Sequence, residues 1–166
     1  MDLIVSETGQ AHFGDVVYRC AVGRGGIRPN KMEGDGASPA GRFTLSRVRY
    51  RQDRLNKPNT ILRLEPIEPS DGWCDAPDDP AYNSLVTLPY PASCECLFRK
   101  DRLYDIIVVT GHNTNPVVPY AGSAVFVHVA GIPEYPPTEG CIAFALEDLL
   151  EILAVWNPET DRLVIV

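Results

Sequence analysis

Along most of this chain, apolar residues come in short runs separated by turn formers, and only one stretch repeats at helical spacing. Leu3 to Ser6 and Asp15 to Ala21, flanking Thr8-Gly9-Gln10 and Gly14, read as a hairpin or meander. Phe43 to Arg51 alternates in strand fashion and sets Arg47, Arg49 and Arg51 on one face, expected to be an exposed sheet face. Ile61 to Leu64 reads as a further strand, and Glu65 to Pro80, rich in proline and aspartate, as a long connection. Ile106-Ile107-Val108-Val109 is apolar on every position, which suits a central strand covered on both sides. Val125 to Val129 is β-branched and aromatic apart from His128 and reads as another buried or half-buried strand. Leu146, Leu149, Leu150, Leu153 and Trp156 recur at helical spacing, Asn157-Pro158 ends the helix, and Leu163 to Val166 returns as a closing strand. The pattern predicts a mainly β domain with one main helix.

Length and charge narrow this further. With 166 residues and 45% hydrophobic content, the chain is expected to form a single domain, residues 1–166, with a core of its own. A formal net charge of −7 argues against binding nucleic acid or an anionic membrane surface. Met1 to Ser6 has neither a basic region nor a long apolar run, so a cytoplasmic location is expected, or a periplasmic one if a leader was removed. Five cysteines, Cys20, Cys74, Cys94, Cys96 and Cys141, are odd in number and irregularly spaced, and in a reducing compartment they remain thiols. Cys94-Glu95-Cys96 is too tight for a Cys-x-x-Cys metal knuckle and is read as structural.

The chemistry concentrates between Ser123 and Leu150. There the strand bearing His128 is followed by a loop stiffened by Pro133, Pro136 and Pro137, which leads to Thr138-Glu139-Gly140-Cys141. A thiol becomes a strong nucleophile only as thiolate, and an imidazole within reach can take its proton. Gly140 permits close backbone approach, so the amides of Glu139, Gly140 and Cys141 are candidates for receiving an oxyanion. An activated Cys141 is expected to be alkylated well below the free-thiol value of about 8.5. His112, at the end of the apolar Ile106–Val109 strand, is the rival base, and Asn113 or a main-chain carbonyl is expected to orient the imidazole.

His-x-x followed at short range by Thr138-Glu139-Gly140-Cys141-Ile142 resembles the signature of the YkuD family, the L,D-transpeptidase catalytic domain. Lys31-Met32-Glu33-Gly34-Asp35-Gly36-Ala37-Ser38-Pro39-Ala40-Gly41-Arg42-Phe43 resembles the family's early GDgaTPaG-x-[FY] segment. Asp71-Gly72-Trp73-Cys74-Asp75 with Tyr82-Asn83 resembles an insert of one subfamily. The resemblance spans roughly residues 20 to 150 in order. It implies an L,D-transpeptidase-like β-sandwich with the cysteine loop over one end, Cys141 as nucleophile and His128 as base. Two positions depart from the common pattern: Glu139 stands where many members have histidine before the glycine, and Ala143 follows Ile142 where they have arginine. Another basic residue is then expected to meet the substrate carboxylate, with Lys31, Arg42, Arg24 and Arg28 as candidates, or substrate selection differs. Asp35 and Thr138 belong to the two matching loops, and Trp73 and Tyr82 are candidates for lining a substrate groove.

What the resemblance implies is cysteine-dependent acyl transfer on a peptidoglycan stem peptide or muropeptide, with no metal or organic cofactor called for. Attack by water would make the protein an L,D-carboxypeptidase cleaving the diaminopimelate–D-alanine bond. Attack by an amine would make a 3→3 crosslink or exchange a D-amino acid. A non-catalytic muropeptide-binding domain and a cysteine peptidase for ordinary L,L-peptides are the rivals.

Overall fold

The computed structural model describes residues 1–166. In chain order the strands are β1 (Asp2–Val5), β2 (Gln10–Phe13), β3 (Val16–Ala21), β4 (Ile27–Arg28), β5 (Ser38–Pro39), β6 (Gly41–Phe43), β7 (Leu45–Tyr50) and β8 (Arg63–Pro66). They continue with β9 (Asp71–Cys74), β10 (Leu85–Thr87), β11 (Cys94–Cys96), β12 (Ile106–Thr110), β13 (Phe126–Val129), β14 (Ile142–Phe144) and β15 (Arg162–Ile165), and α1 (Leu146–Val155) lies between the last two. One sheet runs β6-β15-β1-β2-β3-β14-β13-β12-β7-β8, a second β10-β9-β11, and β4 pairs with β5.

The ten-stranded sheet folds over on itself as a β-sandwich. β6 and β7 are separated only by Thr44, yet β6 pairs with β15 and β7 with β12, so one bend carries the chain from one half of the sheet to the other. The Gly111 amide donates to the Thr44 carbonyl at this corner, 2.9 Å. Between the halves lies the main core. Leu3 and Val5 of β1, Phe13 of β2, Leu163 and Ile165 of β15 face Val48, Ile106, Val108, Val127, Ile142 and Phe144, with Leu149, Ile152 and Leu153 of α1 closing it. The Trp156 ring stacks on Phe13 with centroids 5.7 Å apart. No side chain caps α1, but Glu147 and Asp148 in its first turn suit the helix dipole.

β12 and β13 are buried on both faces, as an unbroken apolar run requires. Their second face carries Ile107, Val109 and Phe126 and is covered by Trp73 and Leu97 of the insert. Here three sequence expectations give way. The Glu65–Pro80 connection contains half of β8 and all of β9, because strands of three or four residues show too little alternation to be seen. The strand expected at Ile61–Leu64 begins two residues later, with Ile61 left exposed. The arginine face of β7 is not open surface: Arg49 and Arg51 are only 5% and 4% exposed. Arg49 reaches Glu65 at 2.8 Å and Asp71 at 2.7 Å, and Arg51 pairs with Asp53 and lies 3.5 Å over the Phe98 ring. Carboxylates from β8 and the insert neutralise charges that the sequence alone leaves facing water.

Candidate active site

β13 and β14 run parallel with Val127 beside Ile142 and His128 beside Ala143. Alternation therefore sends Val127, Val129, Ile142 and Phe144 into the core and turns Phe126, His128, Cys141 and Ala143 to the opposite side. Cys141, one residue ahead of Ile142, stands beside Phe126 and diagonally from His128. Both side chains line one cleft of about 410 Å³, together with Lys31, Glu33, Asp75, Glu95, Arg99, Tyr104, Ser123 and the loop Pro136–Cys141.

The cysteine loop is held from several sides. Thr138 Oγ1 donates to the Cys141 carbonyl at 2.7 Å and accepts from the Gly140 amide at 3.1 Å. The Thr138 amide donates to the Val22 carbonyl, and its own carbonyl takes the Arg24 amide. Gly140 has φ of +135°, and a Cβ there would lie 2.7 Å from the Ala37 carbonyl, so only glycine lets this turn meet the loop that follows β4. Against the same turn lies Lys31, whose side chain is 6% exposed and paired with Asp35. Asp35 also accepts from the Met32 and Ala37 amides, which with Lys31 hold its carboxyl below the usual range against the opposing effect of burial.

At the candidate sulfur, the Cys141 thiol donates to the Ala124 carbonyl at 3.1 Å, and the Phe126 amide donates to Sγ at 3.4 Å. Ala124 has φ of +51°, and its amide is pinned by Asn83 Oδ1 at 3.0 Å, so this carbonyl is aimed by the insert. Burial pushes the Cys141 thiol up to about 12; Glu95 adds to this, while the Phe126 amide and the Lys31 ammonium oppose it. Burial pushes His128 down to about 4. His128 Nδ1 pairs with the Val129 carbonyl at 2.9 Å, so Nδ1 carries the hydrogen and Nε2 is the free base. Resting thiol and imidazole are thus both neutral, and no hydrogen bond joins them. The raised thiol pKa runs against the expectation of a thiol reactive well below pH 8.5: at the resting sulfur, desolvation outweighs the cation and the amide.

The other sequence candidates divide. Glu139 is 78% exposed and its carboxylate pairs with Arg24 at 2.9 Å, although the residue borders the cleft. Arg42 sits on edge strand β6 and pairs with Asp2 at 2.9 Å, away from the cleft. Trp73 and Tyr82 support the cleft from behind instead of lining it. Trp73 packs edge-on against Phe126 at 4.9 Å and donates to Asn83, while the Tyr82 hydroxyl donates to Glu33 and accepts from the Gly122 amide. His112 Nε2 is tied to the Ala121 carbonyl at 2.9 Å, its ring lies edge-on to Phe43, and burial pushes its pKa down. Asn113 braces the turn after it through Val118 and Gly122, so a main-chain carbonyl, not Asn113, orients the imidazole.

Arg99, Glu95, Tyr104 and Asp75 were given no role at the site from sequence, because nothing in their spacing ties them to His128 or Cys141; the fold brings them to the cleft. Tyr104 lies edge-on to His128 at 5.4 Å and its hydroxyl donates to Glu95. Glu95 is pushed up by burial, against the pull of Tyr104 and Arg99. Arg99 lies 5.2 Å above the Tyr104 ring, held by Asp101 at 2.6 Å.

No curated protein and no solved structure matches the chain. The family model of the YkuD L,D-transpeptidase catalytic domain matches residues 7–166. With its β-sandwich, its single helix after β14 and nearly its whole length matched, the chain belongs to the YkuD family of L,D-transpeptidase catalytic domains, enzymes of acyl transfer on peptidoglycan stem peptides.

Proposed function

We propose that the protein is an L,D-carboxypeptidase of soluble muropeptides, with Cys141 as nucleophile and His128 as base. The observation that carries this is the pairing, in one cleft, of a neutral thiol with an imidazole whose Nδ1 is tied to the Val129 carbonyl, which leaves the lone pair on Nε2. Sγ attacks the carbonyl at the L-centre of diaminopimelate while its proton passes to Nε2. The Val129 carbonyl then faces an imidazolium and stabilises it. Negative charge on the carbonyl oxygen falls to the amides of Cys141 and Glu139, since Thr138 already holds that of Gly140. The imidazolium returns its proton to the departing D-alanine amine and leaves a thioester. Water, deprotonated by His128, opens the thioester, freeing the tripeptide and restoring the thiol.

With Ala143 in the position where arginine is common, the substrate carboxylate needs another partner. Arg99 fits best, because Lys31 is buried against Asp35 whereas the Arg99 side chain is 36% exposed. A cleft of about 410 Å³ has room for the end of one stem peptide, which favours water over a second stem. One observation favours the second reading, transfer to an amine: the carboxylates of Glu33, Asp75 and Glu95 around the cleft attract an ammonium. Incubation with free tetrapeptide should yield tripeptide and D-alanine, and an added D-amino acid should leave that outcome unchanged. A product carrying the added amino acid decides for transfer, and turnover by a Cys141→Ala variant removes Cys141 from the mechanism.

A further inference from the structure

The mechanism uses one of five free cysteines. Two others face each other. In the small sheet, β9 and β11 pair antiparallel with Cys94 opposite Cys74, Glu95 opposite Trp73 and Cys96 opposite Gly72. The Asp75 amide donates to the Ser93 carbonyl at 3.1 Å and the Leu97 amide to the Asp71 carbonyl at 3.0 Å. Hydrogen-bonded pairs alternate along an antiparallel ladder, so Asp75–Ser93, Trp73–Glu95 and Asp71–Leu97 are the bonded pairs and Cys74–Cys94 is a non-bonded one. Directly opposite Cα atoms at such a site are about 4.5 Å apart with side chains leaning together, inside the roughly 4.4–6.8 Å range of disulfides. The Cys94 thiol donates to the Ala92 carbonyl at 3.4 Å, and Cys74 adds to the effect of burial in pushing it up.

We propose that Cys74 and Cys94 are a site of covalent modification, closing to a cross-strand disulfide when the protein meets a disulfide oxidant such as oxidised glutathione. Cys74 is fully buried and Cys94 half-buried, which sets the order of events. The Cys94 thiolate attacks one sulfur of the oxidant and expels a glutathione thiolate. The Cys74 sulfur, giving up its proton to solvent, then attacks Cys94 in the mixed disulfide and expels the second glutathione. The two cysteines lose two electrons and two protons, and the oxidant takes them up as two thiols. Cys96 shares this outer face of the sheet but stands opposite glycine, so it has no directly facing partner. Cys141 lies outside the exchange, its sulfur turned to Ala124 and Phe126 across the cleft.

The pair also bears on the cleft. Trp73 and Glu95 occupy the alternate positions of the same two strands and point the other way, Trp73 under Phe126 and Glu95 into the cleft. A bond between Cys74 and Cys94 fixes the register of the strands that hold Glu95 and Asp75 beside the nucleophile.

The test is oxidation of the full chain with oxidised glutathione at pH 8.5, followed by alkylation of remaining thiols, intact mass and peptide mapping without reduction. The expected product is about 2 Da lighter before alkylation, with a single link between Cys74 and Cys94. A Cys96→Ser variant should give the same link, and Cys94→Ser should give none. The melting temperature should rise on oxidation in the unmodified protein and stay fixed in Cys94→Ser, where only the missing link differs. Glutathione adducts without a link, or a link from Cys94 to Cys96, overturn the proposal.

Discussion

The two faces of β13 and of β14 with the adjoining Cys141 come from the same short stretches and look in opposite directions. One face sends Val127, Val129, Ile142 and Phe144 against α1 and the opposite half of the sandwich; the other carries His128 and Cys141 into the cleft. Cys20, which belongs to the core face, sharpens the contrast: burial pushes its thiol up to about 12, as it does for Cys141. Burial and a raised thiol pKa therefore do not distinguish a nucleophile from packing. What differs between the two is their setting: Cys141 borders the cleft shared with a lysine and an imidazole and takes an amide on its sulfur, whereas Cys20 belongs to the main core cluster.

The largest effect expected is the loss of turnover on removing that sulfur. Cys141→Ala should lower kcat by roughly 10⁴-fold or more, while Cys20→Ala leaves turnover near normal and lowers stability by about 1 kcal/mol. Paired assays of D-alanine release and urea unfolding on the two variants check this. Comparable loss of turnover in both would erase the distinction between the faces. Next comes the core side of the same strand. Phe144, fully buried against Tyr18, should cost about 3–5 kcal/mol when cut to alanine, with turnover by the remaining folded enzyme almost unchanged.

The core face was far easier to read from sequence than the cleft face. Ile106–Val109, Val125–Val129 and the helix were visible because long apolar periodicity is a local signal. Cys141, His128, Gly140 and Lys31 were named through a resemblance, since their spacing alone fits a buried thiol and a core histidine equally well. Arg99, Glu95 and the arginines of β7 were missed or misjudged for one reason. Their surroundings come largely from β8 and the insert, whose strands of three or four residues leave no periodic trace, and partners far away in sequence settle whether a charge is solvated or sealed in.

The third prediction uses acid to separate the faces. His128 has its pKa lowered to about 4 against an ordinary 6.5, so the unfolded chain binds a proton that the folded one refuses between those values. Stability from this group is complete above pH 6.5 and is lost as pH falls toward 4, by up to about 3 kcal/mol. His112 and carboxylates titrate in the same interval, so the measurement is the difference between the protein and a His128→Gln variant in urea unfolding at pH 7, 5.5 and 4.5. The two curves should converge in acid. Curves that stay parallel mean that the imidazole is not held neutral.

The smallest effect concerns the charge beside Cys141. Lys31 stands against the Gly140 turn and is among the groups that draw the Cys141 pKa downward, yet it is bound to Asp35 and nearly sealed from water. If its role at the sulfur is electrostatic, Lys31→Met should slow alkylation of Cys141 at pH 9 by about three- to tenfold, because less thiolate is present. Lys31→Met also strands the Asp35 carboxylate, which can loosen the loop and expose the sulfur, an effect of opposite sign. Lys31→Arg and the double variant Lys31→Met with Asp35→Asn separate the two. Arginine should restore most of the rate by restoring charge, and the double variant should stay slow, since neutralising the aspartate returns no cation to the sulfur. A double variant that alkylates at the unmodified rate would mean that Lys31 serves the loop and not the thiol.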